Sequence, residues 1–345
     1  AMGAYYRSTG KMSVALVTAG GGASNASTGI LSNWADSIPG IIISGQEQSY
    51  YLKEYKDMRM FGVQGYDAVT AYDNCTKMSH VITETNLHTL MPFAFALTQE
   101  GRPGPVFLEV PFDVQSKMIE EQKVRVVPIV EIYPDIPTDV DYILSALSQA
   151  KRPVILGGHG VKLAKAEESF KQFIEDHNIP TVLSWSAVDL LEDNNPNYFG
   201  RPGVQGQRAA NFLVQNSDLL IVLGSRLSLL QTGYKREDFA PNAHIIHVDI
   251  DESEIKKFKG KNIKADVGEL LVSLNSKWRA ELNIEEWITY CNQVKEKYPL
   301  VMPEHLADPT NSYTFIDKFS QKVSDNYTIV TDMGTALLSG FYGWR

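Results

Sequence analysis

Bare backbone able to approach a ligand is concentrated at Thr18-Ala19-Gly20-Gly21-Gly22-Ala23-Ser24-Asn25. Three glycines between an apolar run and a helix-compatible stretch let the main chain come close to a bound molecule, and a helix start favours anionic groups. The spacing is neither a P-loop nor GxGxxG, and a tight structural turn accounts for it as well as a ligand site does. Gln46 follows the apolar run Gly40–Ser44, where open α/β sheets bind ligands; a hydrogen bond to substrate or cofactor and plain loop surface are its two readings. Further on, Gly157-Gly158-His159-Gly160, Gly224-Ser225-Arg226 and Asp249-Ile250-Asp251 each follow an apolar run. Glycines for phosphate and carboxylates for ribose hydroxyls are how a doubly wound domain holds a nucleotide. His159 and His247 have no second ligand at helical spacing and read as structural. The turn Gly101-Arg102-Pro103-Gly104-Pro105 reads as structural as well. No GxSxG, HExxH or kinase-type set is present, which removes several hydrolase and transferase classes.

These groups need a scaffold, and short apolar runs supply it. Ser13–Thr18, Gly40–Ser44, Val106–Val110, Pro153–Leu156, Thr181–Leu183, Leu219–Leu223 and His244–Val248 are continuous rather than alternating. That suits parallel strands covered on both faces by helices, an α/β fold. Glu167–His177, Ala209–Asn216 and Val267–Asn275 carry helical spacing between them. The expected organisation is an α/β unit over 1–118, a linker over 119–134 and a Rossmann-like unit over 135–280. A connector over 281–309 and the start of a third unit over 310–345 follow.

The 345 residues are 43% apolar and 21% charged, enough for two cores. Thirty-two basic against forty-one acidic side chains give a net charge of −9, which carries no cationic footprint for nucleic acid. No apolar stretch approaches the ~18–20 residues of a membrane span. Two cysteines, Cys75 and Cys291, make neither a disulfide framework nor a cysteine-rich zinc site. With no signal peptide visible, a cytoplasmic protein is expected. The chain opens within a helix-like stretch and closes after a strand-like Tyr327–Thr331 and a turn at Gly334, as a further βα unit begins, so a fragment of a longer protein is expected.

Taken in order, the motifs Tyr5–Lys11, Thr18–Asn25, Asp36-Ser37-Ile38-Pro39, Ser44-Gly45-Gln46, Gly101–Val106 and Val110–Val114 resemble a known pattern. It is the pyrimidine-binding domain of thiamine diphosphate (ThDP) enzymes of the acetolactate synthase group. Gly203–Phe212, Asp218–Arg226, His247–Asp251 and Ala265–Gly268 resemble that family's central nucleotide-binding domain, and Tyr327–Gly334 the first strand and turn of its pyrophosphate-binding domain. The resemblance implies ThDP with Mg2+, a 2-keto acid substrate, and a homodimer or homotetramer whose sites form between subunits. It places Gly20, Gly21, Gly22 and Asn25 beside the aminopyrimidine, Gln46 facing the reacting centre, and Gly334 with Thr335 at the diphosphate side. It also makes Gly157, Gly158, Gly224, Ser225, Arg226, Asp249 and Asp251 the candidate contacts of a nucleotide, FAD or ADP.

The departures matter too. The family's activating glutamate would fall before Ala1 and its magnesium-binding segment beyond Arg345, so no metal ligand is assigned within the chain. The family's Ser-Gly-Pro-Gly is Ala19-Gly20-Gly21-Gly22 here, and its Phe-Asp-Asp-Arg is Leu227-Ser228-Leu229-Leu230. The second change removes polar groups that a flavin site would use, Gly334-Thr335-Ala336 lacks the family's Gln and His, and the departures together point to altered substrate choice. The expected activity is 2-keto acid decarboxylation and carboligation. The alternative is a non-catalytic nucleotide-binding or regulatory module of the same fold.

Overall fold

The computed structural model describes residues 1–54, 57–120, 133, 135–279, 281–308, 310–324, 326–327, 329–332 and 334–344. It divides into two compact units, 1–132 and 133–345.

The first unit is built on a parallel sheet of β1 (Ser13–Val17), β2 (Gly40–Gln46), β3 (Met78–Val81) and β4 (Pro105–Pro111), in the order β1-β2-β4-β3. Ile42 pairs with Phe107 and Ser44 with Glu109, so alternate residues of β2 and β4 share a face. On one face Ile42 and Phe107 pack with residues of three helices, α2 (Gly21–Asn25), α3 (Ser27–Ala35) and α4 (Ala68–Tyr72). On the other, Ile41, Val106 and Leu108 meet Ala94 of α5 (Leu87–Leu97). A preceding helix, α1 (Met2–Thr9), lies against α3 and β1. Burial on both faces explains the continuous apolar runs of β2 and β4. Edge strand β1 differs, with Val14 and Leu16 exposed.

The second unit holds β5 (Pro153–Gly157), β6 (Thr181–Leu183), β7 (Leu219–Leu223), β8 (His244–Asp249) and β9 (Lys261–Lys264). They are all parallel and ordered β6-β5-β7-β8-β9. One face carries α6 (Ile136–Gln149), α7 (Glu167–His177) and α9 (Val267–Lys277), which bury Ile143, Leu147, Phe170, Phe173, Leu270 and Leu274. The other carries α8 (Arg208–Asn216) and α10 (Glu285–Lys297) against Val154, Leu156 and Val222. The chain leaves β5 for β6 on one side and returns to β7 on the other, which creates a switch point at their carboxyl ends.

The structure redraws several expected boundaries. Residues 121–132 and 134 of the expected linker lie outside the described residues. Just after it, Pro137 sits in the first turn of α6, where its missing N–H costs nothing. The expected connector contains α10, whose Trp287, Cys291 and Val294 recur at helical spacing and are buried in the core of the second unit. Tyr327–Thr331 forms no strand among its described residues, where Tyr327, Ile329 and Val330 are exposed. An apolar run with no neighbouring strand has no ladder to join. Instead, α11 (Ser312–Ser320) and α12 (Thr335–Gly343) pair, with Ser339 Oγ donating to Ser312 Oγ at 2.7 Å. Among the described residues, no helix is long and apolar enough to cross a membrane.

Candidate cofactor sites

In the first unit the glycine turn links β1 to α2 at the carboxyl end of the sheet. Gly20 has φ +63°, and a Cβ there would stand 2.5 Å from the carbonyl oxygen of Gln64, so only glycine fits. Gly21 is exposed, and a Cβ placed on it would meet no atom within 4 Å. A Cβ on Gly22 would press against the Thr18 side chain at 2.7 Å. Asn25, at the end of α2, is exposed and lines a cleft of about 470 Å³ between α1 and α3. The turn thus offers open backbone at Gly21 and spends its other two glycines on close packing.

Gln46 sits differently from the expectation of a group facing a reacting centre. It is 4% exposed, and its Nε2 donates both to Glu109 Oε1 and to the Tyr66 carbonyl, each at 2.9 Å. Its Oε1 accepts the Glu47 N–H at 2.9 Å. Both amide hydrogens are therefore committed inside the unit. The next residue, Glu47, accepts the N–H groups of Val63 and Gln64 at 2.8 and 3.1 Å. Gln46 and Glu47 together fasten the 61–66 loop beside the glycine turn.

Glu109 is a site residue that the sequence reading passed over. Its signal was a carboxylate inside the otherwise apolar run Val106–Val110. It is 2% exposed, and burial pushes its carboxyl up to about 7; Asp67 adds to the rise and the hydrogen bond from Gln46 opposes it. Tyr66 is raised as well, first by burial and then by a hydrogen bond with Tyr72. The Tyr72 hydroxyl donates to the Ala23 carbonyl at 2.6 Å and ties α4 to the helix that follows the glycine turn.

In the second unit, Gly157, Gly158, Gly224 and Ser225 do come together, at the carboxyl ends of neighbouring β5 and β7. Their glycines serve one another. Gly158 N donates to Leu223 O at 2.9 Å and Gly160 N to Gly224 O at 2.8 Å, and a Cβ on Gly158 would stand 2.2 Å from Gly224 O. Ser225 Oγ donates to Gln231 Oε1, while Arg226 is exposed. Asp249 accepts the Asp251 N–H, and Asp251 caps the turn at Ser253. His247 is fully buried and donates from Nε2 to the Ser225 carbonyl at 2.7 Å; desolvation lowers its pKa, so the ring is neutral. This donor set does not fit a flavin dinucleotide. Gly158 and Gly224 face each other's backbone, Gly157 faces the Phe170 and Leu183 side chains, the carboxylates are engaged in turns, and Leu229 and Leu230, just after Arg226 in sequence, expose apolar surface.

Gly334 takes φ +112° as the residue before α12, and Thr335 opens that helix; both are exposed. The far end of α12 is held by Arg201, whose buried guanidinium donates to the carbonyls of Tyr342 and Trp344 at 3.4 and 3.1 Å. Gln207 Nε2 donates to the Tyr342 carbonyl at 2.6 Å, and Trp185 stacks on Phe341. Among the described residues, no three His, Cys, Asp or Glu side chains gather where a metal ion could be held.

Two family models match the chain. Residues 1–64 match the N-terminal TPP-binding domain of thiamine pyrophosphate enzymes, and residues 140–274 match the central domain of the same enzymes. The chain carries the N-terminal and central domains of the thiamine pyrophosphate enzymes. It is 33% identical over 335 residues to the acetolactate synthase isozyme 1 large subunit of Escherichia coli K12, covering 95% of this chain and 57% of that one. It is 30% identical over 340 residues to the isozyme 2 large subunit of the same organism, covering 96% and 58%. With the acetolactate synthase large subunit of Lactococcus lactis it shares 31% identity over 345 residues, covering 96% and 57%. The chain thus spans under three fifths of the length of these relatives. The N-terminal match takes in the glycine turn and β2, and the central match takes in all five strands of the second sheet.

Proposed function

We propose that these residues belong to a thiamine diphosphate-dependent enzyme that decarboxylates a 2-keto acid and joins the remaining carbon unit to a second carbonyl, in the manner of acetolactate synthase. The observation that carries this reading is the open, side-chain-free backbone at Gly21 on the carboxyl end of a parallel sheet, within the stretch that matches a TPP-binding domain. The fit is to a flat heterocycle. Gly20–Gly22, Asn25 and the neighbouring Gln64 offer no cationic side chain for a diphosphate, so this turn would border the aminopyrimidine. The diphosphate and Mg2+ belong, on this reading, to the side that contains Gly334 and Thr335, completed by residues outside the chain and by a second subunit. A homodimer is the smallest assembly that would serve. When bound, the cofactor supplies a nucleophilic carbon that adds to a keto carbonyl and a sink for the electron pair left by carbon dioxide. The chain's own contribution is to position: Gln46 and Glu47 hold the loop that packs on Gly20, and the buried face beneath them excludes water. The central unit acts as a structural domain, with no step assigned to a flavin.

The test is direct. Full-length protein with thiamine diphosphate, Mg2+ and pyruvate should release carbon dioxide and form a product that yields acetoin on acid treatment. No carbon dioxide from pyruvate, 2-ketobutyrate or bulkier 2-keto acids would refute the reading.

A further inference from the structure

We propose that Glu109 is a positioning residue for the glycine-turn site: it orients the Gln46 amide, and Gln46 with Glu47 clamps the 61–66 loop against Gly20. The inference rests on the reading of that turn as a thiamine diphosphate contact.

The geometry leaves Gln46 one orientation. The Glu47 N–H requires an acceptor at Gln46 Oε1, while Glu109 Oε1 and the Tyr66 carbonyl require donors at Nε2. Flipping the amide would set oxygen against oxygen twice and leave one N–H facing another. With the amide fixed, Tyr66 O is anchored at one end of the loop, and Glu47 holds the N–H groups of Val63 and Gln64 at its tip. Gln64 is the residue whose carbonyl fills the space above Gly20. A chain of contacts therefore runs from a buried carboxyl on β4, through β2, to the turn that carries the open backbone of Gly21.

The carboxyl is costly where it sits. Among the described residues, Tyr66 and Asp67 from the segment leading into α4, Tyr72 of α4 and Cys75 just after it are the titratable groups on its face; α2, α3 and β2 bring none. His80 of β3 pairs with Leu108, puts its side chain on the opposite face and is exposed. With no base on its face, a carboxyl pushed up to about 7 accepts from Gln46 in either protonation state, and more strongly once ionised. Such an expense inside an apolar strand is explained by a positioning role and not by packing.

Full-length protein without cofactor, compared as wild type, Glu109→Ala and Glu109→Gln, tests this by hydrogen exchange. Glu109→Ala should speed exchange at Val63 and Gln64 by at least about tenfold and leave the β7 amides unchanged. Glu109→Gln keeps an acceptor for Gln46 and should restore most of the protection. It should also lack the pH dependence expected of wild-type loop protection between about pH 6 and 8. Thiamine diphosphate affinity, read from the protein's own fluorescence, should fall by at least about tenfold in Glu109→Ala and recover in Glu109→Gln. Loop exchange unchanged in Glu109→Ala overturns the clamp. A loosened loop with unchanged affinity overturns its link to the site. Wild-type protein that fails to bind thiamine diphosphate refutes instead the cofactor reading on which the inference stands. Should Glu109→Ala not fold, the pH profile of Glu109→Gln decides alone, and an unchanged profile overturns the proposal.

Discussion

Glu109 should make the first unit less stable as the solution becomes more alkaline, and Glu109→Gln should remove that loss. In the unfolded chain the carboxyl titrates near its ordinary value of 4.5, whereas in the folded unit it titrates at about 7. Below the lower value both states are protonated and the residue costs nothing. Between the two, the unfolded chain loses its proton while the folded unit keeps it, so stability falls as pH rises. Above the upper value the full cost is present, of the order of 3 kcal/mol, or a few-hundredfold in the opening equilibrium. Glutamine keeps the volume and an acceptor for Gln46 but has no charge to bury. The variant should therefore match wild type near pH 4.5 and exceed it by up to about 3 kcal/mol near pH 8. Hydrogen exchange at Val106–Leu108 of β4 reports opening of this unit alone, and comparison at each pH cancels other titrations. A difference that stays flat from pH 5 to pH 8, or that favours wild type in alkali, would refute the placement of a buried, base-free carboxyl.

Other substitutions separate packing glycines from open ones. Gly158→Ala forces a methyl group to within 2.2 Å of the Gly224 carbonyl and should cost at least about 3 kcal/mol, read as a lower melting temperature for the second unit. Gly21→Ala meets empty space and should leave melting within a degree or two, while weakening thiamine diphosphate binding by titration; unchanged binding would remove Gly21 from the site. Asp266→Ala takes the cap from the Gly268 and Glu269 N–H groups and should cost about 1 kcal/mol in urea unfolding. Arg201→Ala should free the carboxyl end of α12, visible as faster exchange at 338–344 with the β5–β8 core unchanged.

The fold was legible wherever burial is two-sided. β2, β4, β5 and β7 are continuous apolar runs because helices cover both faces, and each is found at its expected place to within two residues. The edges were not legible. β3 is only Met78-Ser79-His80-Val81, and β9 is Lys261-Asn262-Ile263-Lys264 with one buried side chain, so neither carries a two-sided pattern. The helix Glu285–Lys297 was hidden by its charges and by the prolines after it, although Trp287, Cys291 and Val294 keep helical spacing. At the candidate sites, residue type pointed to glycine-rich turns, but it could not tell a glycine with open space beside it from one packed against another loop. Gly158 and Gly224 are of the second kind, and only their mutual approach reveals it. Glu109 was discernible as one acid in an apolar strand; its partner, Gln46, lies sixty-three residues away and no local pattern joins them.

Strand β1 has a practical consequence. Its sequence, Ser-Val-Ala-Leu-Val, holds none of the lysines or prolines that blunt the outer strand of a sheet, and Leu16 is 78% exposed. Among the described residues nothing pairs with its free side. Expressed as residues 1–345 alone, the polypeptide would offer that side to any extended segment that met it, another molecule's β1 included. Such material would sediment as larger species the more it is concentrated, and Leu16→Lys would keep it dispersed.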